Sequence, residues 1–214
     1  MKKKNIWELA SCLLVVAVVL AAFYFYQYLP DKIVTHWNAA GEADGWGSKN
    51  MQIIFLPLLI LFVHLLFKLL PKIDPKKKNY EKFANVYGIF RVAIVGYLAI
   101  IYFLTGFVNL GYDISISAVM PILIGLLFIV MGVVMKDIKP NWFMGIRTPW
   151  TLSNDTVWKK THEFGGKTFV LSGLLFMLLG VLPEEWFGVG LIIVILLTLS
   201  SVVYSYFIYK KLKK

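Results

Sequence analysis

The chain has 214 residues, of which 59% are hydrophobic and 16% charged, and its mean hydropathy is +0.72. Soluble domains are about a quarter charged and under half apolar, so this composition excludes a soluble enzyme, a disordered chain and a secreted disulfide scaffold, and leaves a multi-pass membrane protein. The single cysteine, Cys12, makes no internal disulfide, and the formal charge of +10 is best read from where its lysines lie.

A membrane-crossing helix takes about 20 mostly apolar residues. In chain order the spacing predicts six: Trp7–Tyr28, Met51–Leu70, Val86–Val108, Ser115–Met135, Thr168–Leu182 and Trp186–Tyr209. The first run follows a basic start, but it is too long for a signal-peptide core and ends in the aromatic band Phe23–Tyr28. It reads as a retained helix. With the N-terminus placed inside, 19 of the Lys and Arg residues fall in cytoplasmic segments and only Lys32 and Lys49 in outer ones. The remaining one, Arg91, lies within the third span. The positive-inside rule therefore places both termini in the cytoplasm. The charge is a topology signal with attraction to anionic membrane lipids, and no basic-aromatic stripe argues for direct nucleic-acid binding. The expected fold class is all-α, a polytopic bundle of six transmembrane helices. Residues 1–75 form a two-span N-terminal part, and residues 76–214 a four-span part.

Four connections read as simple anchors or turns, among them the basic loop Pro71–Asn85 and the tail of lysines. Two loops carry more. The outer loop Leu29–Asn50 contains His36-Trp37-Asn38, Gly41, Asp44 and Trp46. Large orderable groups argue against disorder, and Gly41, Gly45 and Gly47 permit tight turns. Val34, His36 and Asn38 alternate with Thr35 and Trp37 if the piece is extended. His36, Glu42 and Asp44 are weak as a metal set, because one His and two carboxylates stand at irregular spacing. The tryptophans suit the headgroup level.

The fourth loop, Lys136–Lys167, holds Trp142, Trp150 and Trp158. Ser153 reads as an N-cap, with Leu152 and Val157 as a hydrophobic staple and Asp155 at the positive helix start. A short helix from about Asn154 to Phe164 follows, with Gly165-Gly166 ending it or bending it into the fifth span. Trp158, Thr161, His162 and Gly165 share one of its faces. The expectation is an amphipathic helix lying on the inner leaflet. Ahead of it, Gly145-Ile-Arg147-Thr148-Pro149-Trp150 is a rigid turn in which Pro149 holds Thr148 extended. Arg147 can hold a phosphate headgroup, a carboxylate or helix-end carbonyls, or serve as an interface anchor.

The stretch Gly145-Ile-Arg-Thr-Pro-Trp-Thr-Leu-Ser-Asn-Asp-Thr-Val-Trp-Lys-Lys-Thr-His-Glu-Phe-Gly-Gly166 closely resembles the signature of the SdpI family of bacterial immunity proteins. The outer loop, Leu29-Pro with Ile33, His36-Trp37-Asn38, Gly41, Asp44 and Ser48-Lys49, resembles the small membrane domain that precedes that signature in longer members. The resemblance implies a non-enzymatic protein without cofactor. It implies immunity to a secreted antimicrobial peptide toxin, and signalling by tethering a cytoplasmic transcriptional repressor at the membrane. On that reading His36, Trp37, Asn38, Gly41 and Asp44 are the toxin-contact residues, and Arg147, Thr148, Pro149, Trp150, Asn154, Trp158, His162 and Gly165 the readout residues.

Charges within spans are functional candidates. Arg91 can snorkel to the inner interface or meet a headgroup or the fourth loop. His64 suits an interhelical hydrogen bond, and Glu8 complements the helix dipole. The spans hold no paired carboxylates, and the sequence shows no Gly-rich phosphate loop and no Ser-His-Asp set. A transporter or channel-like protein for a small solute or peptide is the alternative, although no repeat relates the halves. A headgroup-directed enzyme with His162 as base ranks last, because His162 has no well-placed carboxylate to orient it.

Overall fold

The computed structural model describes residues 3–38 and 40–213. Seven α-helices and one hairpin follow in order: α1 (Lys3–Tyr28), β1 (Lys32–Trp37), β2 (Ala43–Ser48), α2 (Leu56–Ile73), α3 (Ala84–Asn109), α4 (Ile116–Met135), α5 (Pro149–Ser153), α6 (Asp155–Leu179) and α7 (Glu185–Leu212). A π-helical turn (Met51–Phe55) leads into α2, and a 3₁₀ segment (Lys77–Phe83) leads into α3. Five stretches are long and apolar enough to cross a membrane: Ile6–Tyr28, Met51–Ile73, Lys77–Asn109, Ile116–Met135 and Glu185–Leu212. Their outward faces carry exposed Leu, Ile, Val and Phe, such as Leu20, Phe62, Ile100, Val133 and Leu196. In water such surface would be strongly unfavourable; in lipid it is solvated.

Two packing centres divide the bundle. In the first, Val15, Val18 and Phe25 of α1 meet Ile60 of α2, Val95, Ala99 and Tyr102 of α3, and Ile33 of the hairpin. The second is built on glycine. A Cβ on Gly125 would stand 2.5 Å from the carbonyl oxygen of Gly173, and one on Gly173 would stand 2.5 Å from that of Gly125. Gly132 and Gly166 repeat the relation at 2.7 Å, and Gly180 meets the carbonyl of Ala118 at 2.7 Å. The rungs are seven residues apart on both helices, as an antiparallel seam of near-3.5 periodicity requires. Bare backbones therefore touch along α4 and α6, which is how helices associate where no hydrophobic drive separates them from lipid.

This seam corrects the expectation for the fourth loop. Gly165 and Gly166 neither end nor bend a short helix. They lie inside α6, a single helix of 25 residues that joins the expected surface helix to the expected fifth span. The helix cannot lie flat on a leaflet with its apolar face in lipid, because that face is covered by protein. The start is also displaced by one residue. Asn154, not Ser153, caps α6, its Oδ1 accepting from the N–H groups of Thr156 (2.8 Å) and Val157 (3.0 Å). Ser153 closes the short helix α5 instead, donating to the carbonyl of Trp150, so the Leu152–Val157 staple has the wrong register. The loop 29–50 also departs from an all-α chain: it is an antiparallel hairpin, irregular in register around His36.

Candidate functional site: a strap and a hairpin

Residues 136–153 form a strap across the start of α6. Asn141, fully buried, organises its head. The Asn141 Oδ1 accepts from the N–H groups of Phe143 (2.9 Å) and Met144 (2.6 Å), while Nδ2 donates to the carbonyls of Lys139 and Met144. Arg147 then closes the turn by donating from Nη1 to the carbonyl of Trp142 at 2.7 Å. Its side chain lies on the exposed side of the strap.

Gly145 is required twice over. Its φ is +99°, a region that L side chains rarely adopt. A Cβ there would also lie 2.3 Å from Nε2 of His162. That nitrogen accepts the N–H of Ile146 at 3.0 Å, and Nδ1 donates to the carbonyl of Trp158 at 2.8 Å. One ring nitrogen accepts and the other donates, so His162 is neutral. Burial drives its pKa from the ordinary 6.5 down to about 4, opposed by the hydrogen bond to Trp158. The ring stacks on Trp158 with centroids 4.1 Å apart. The Trp158 indole donates to the carbonyl of Ile138 at 2.8 Å.

Thr148 is extended (φ −110°, ψ 163°), as the following proline demands. It caps α5 in a reciprocal box with Thr151, and Pro149 sits at the first helical position. The Thr148 hydroxyl meets that of Ser205 on α7 at 3.0 Å, and Trp150 packs edge-on against Tyr206. Gly165 lets the Ile146 side chain approach to 2.3 Å of where a Cβ would stand. Arg147, Thr148, Pro149, Trp150, Asn154, Trp158, His162 and Gly165 are thus gathered into one unit. The face expected for α6 is the buried one, with Trp158 2% and His162 0% exposed. In this conformation those two side chains hold the strap and offer no surface to a partner.

Sequence reasoning missed what the strap is tied to. Asp74, in a loop that read as a basic anchor, is 2% exposed. Its carboxylate accepts from the Tyr80 hydroxyl (2.9 Å), the Trp142 N–H (2.9 Å) and the Lys76 N–H (2.7 Å). Asn79 donates to the carbonyl of Pro140 at 2.8 Å. The available signal was an Asp before Pro75, a capping and turn arrangement.

At the other end, Ile33 anchors the hairpin in the first core, and Asn109 grips it by its backbone. The Asn109 side chain accepts from the Val34 N–H (2.7 Å) and donates to the Val34 carbonyl (3.0 Å). Its role was not legible beyond helix packing. Gly41 (φ +81°) turns the hairpin against Ser117 at the start of α4. Gly45 and Gly47 lie in β2 rather than in turns. Asn38 binds Glu42 across the turn through both side chain and backbone. His36 Nδ1 pairs with Asp44, and both are exposed. Glu42 turns to Asn38 and away from that pair, and among the described residues no three metal-ligating side chains gather. Trp37 and Asn38 are half-buried. Beneath the hairpin lies a mostly apolar cavity of about 530 Å³, lined by Trp37, Ile101, Met120, Ile124, Phe176 and Phe187 among others.

A membrane bundle with a hairpin at one end and a fastened strap at the other defines a multi-pass cell-membrane protein. The SdpI/YfhL protein family model matches residues 137–205, and a domain of unknown function (DUF1648) matches residues 13–61. Over 214 residues the chain is 32% identical to the immunity protein SdpI of Bacillus subtilis (strain 168), covering 98% of each chain. The chain belongs to the SdpI family. No solved structure matches.

Proposed function

We propose that this protein is an immunity receptor: it protects the cell from a secreted antimicrobial peptide toxin and reports the encounter to a cytoplasmic repressor through the strap. The full-length similarity to an immunity protein carries this reading. It is a non-enzymatic role, and neither a metal nor a cofactor takes part. The hairpin presents His36, Trp37, Asn38, Gly41 and Asp44 over an apolar cavity suited to part of an amphipathic peptide.

Six crossings with both termini inside belong to the same proposal. Residues 166–180 of α6 and its C-cap are level with residues 118–132 of α4, because the glycine rungs pair them. A helix side by side with a membrane span crosses the same depth. His162 lies one turn beyond that paired stretch, on the cytoplasmic side. The chain then divides near residue 75 into a sensing part and a readout part, and α3 joins them. Its outer end carries Asn109, which holds the hairpin, and its inner end continues into the segment of Asn79 and Tyr80, which holds the strap. Displacing one end of a stiff helix biases the other.

Expression in a toxin-sensitive strain tests the function. Survival under a panel of secreted peptide toxins is expected for at least one of them, and unchanged killing by all would sink the proposal. Arg147→Ala is expected to abolish protection or signalling at normal membrane levels; full activity would reduce Arg147 to an anchor. Impermeant thiol labelling should reach a cysteine placed at residue 40 in intact cells and spare one at Lys160. The reverse pattern would invert the receptor.

A further inference from the structure

The arginine of the third span was expected to snorkel to the interface or to meet a headgroup or the fourth loop. The structure buries it. Arg91 is 7% exposed, and its Nε has no hydrogen-bond partner. Among the described residues no hydrogen bond or ion pair links it to another side chain. The acid that lines the same cavity is already engaged, since Glu8 on α1 binds Lys68 on α2 at 2.8 Å. A buried, unpaired guanidinium is costly to desolvate and is tolerated where something else meets the charge.

Arg91 faces a cavity of about 440 Å³ at the inner ends of α1, α2 and α3. The wall is apolar at Phe67, Pro71 and Ala84, with Lys68 and the exposed Lys72 at its α2 side. The Tyr87 hydroxyl is spent on the carbonyl of Phe67, and that of Tyr80 on Asp74. One negative charge, Glu8, therefore faces three positive ones, Lys68, Lys72 and Arg91. The volume falls within the range of small-ligand sites. A planar fork with free donors, backed by a lysine, is the arrangement that recognises phosphate.

We propose that this cavity binds a phosphate-bearing anion, with Arg91 as the buried fork and Lys72 as the charge at the mouth. The phosphate is that of an anionic lipid headgroup or of a soluble molecule, and one experiment separates the two. The full-length protein is purified in maltoside micelles in phosphate-free buffer. It is then titrated with phosphatidylglycerol or with inorganic phosphate at matched ionic strength, and bound mass is read by native mass spectrometry. Wild type is expected to retain one bound molecule per chain. Arg91→Gln should weaken binding at least tenfold, and Lys72→Gln about threefold. Retention of phosphatidylglycerol alone assigns the site to lipid, and retention of inorganic phosphate assigns it to a soluble ligand. Either supports the proposal. Binding of neither probe to wild type overturns it, as does undiminished binding by the variants. If Arg91→Gln fails to fold, the Lys72→Gln titration decides alone, because that side chain is exposed.

Discussion

The strap and the hairpin each carry two tryptophans, a glycine with positive φ and several polar side chains, yet they are held by opposite means. Nearly every signature side chain of the strap and of the α6 start beneath it is spent on bonds within that unit or to α7: His162 on Ile146 and Trp158, Thr148 on Thr151 and Ser205, Trp158 on Ile138. The hairpin is held mainly by Ile33 in the core and by Asn109 at the backbone of Val34, which leaves His36 and Asp44 at the surface. Backbone anchoring leaves side chains free to vary and to recognise. Side-chain anchoring fixes a conformation, and a fixed conformation can be released as a unit. The strap is therefore the part where single changes should cost most.

Gly145→Ala should give the largest effect. The substitution forces an L side chain to φ +99° and drives a methyl group to 2.3 Å from Nε2 of His162. Backbone strain and overpacking together cost about 3–4 kcal/mol, enough to detach the strap. Limited proteolysis at Arg147 should accelerate at least tenfold. A cleavage rate equal to wild type would mean that the strap is not held by the His162 contact.

Acid should act on the same contact with a comparable ceiling. The folded pKa of His162 is about 4 and the ordinary value is 6.5. Between those values the unfolded chain binds the extra proton and the folded one does not, so stability falls as pH drops from 6.5 towards 4. The full loss is about 3 kcal/mol at 1.36 kcal/mol per unit. The protection factor of the Ile146 amide, its exchange rate set against the intrinsic rate at each pH, should fall across that window in wild type. In His162→Gln, whose side chain does not titrate, it should stay flat. A flat profile in wild type would place the imidazole outside this network.

How far these regions were legible follows from the same difference. Span positions come from apolar runs, and α1, α3, α4 and α7 lie within a few residues of where the runs put them. The buried face of α6 followed from its helical period. Its continuity through Gly165-Gly166 did not, because a Gly pair reads as a break until a partner backbone is known to lie against it. Gly132 supplies that backbone from across the bundle. Asp74 and Asn109 were illegible for a related reason. Each satisfies groups 68 or 75 residues away, and local pattern carries no trace of such pairings. The resemblance of the signature located the strap but not what the strap is fastened to.

Asn109→Ala sharpens the comparison from the hairpin side. It removes both bonds to Val34, at about 1–2 kcal/mol when a buried backbone group is left unsatisfied. Amides of residues 32–37 should exchange at least several-fold faster, while the global melting temperature moves by only a few degrees. Should the amides of 138–147 also quicken, α3 transmits the release; exchange confined to the hairpin would argue that the two ends are uncoupled.

The smallest structural effect is expected at His36. Its ring is exposed and pairs only with the exposed Asp44, and surface pairs of this kind contribute little, about 0–1 kcal/mol. His36→Ala should leave the melting temperature within about one degree and should not alter exchange in the strap. If the hairpin recognises toxin, survival should nevertheless fall several-fold at equal membrane levels. The contrast with Gly145→Ala is then complete: there function is lost because a structure is lost, and here function is lost with the structure intact. Unchanged survival in His36→Ala, Asp44→Ala and the double variant would move recognition off this face of the hairpin and towards the apolar cavity beneath Trp37.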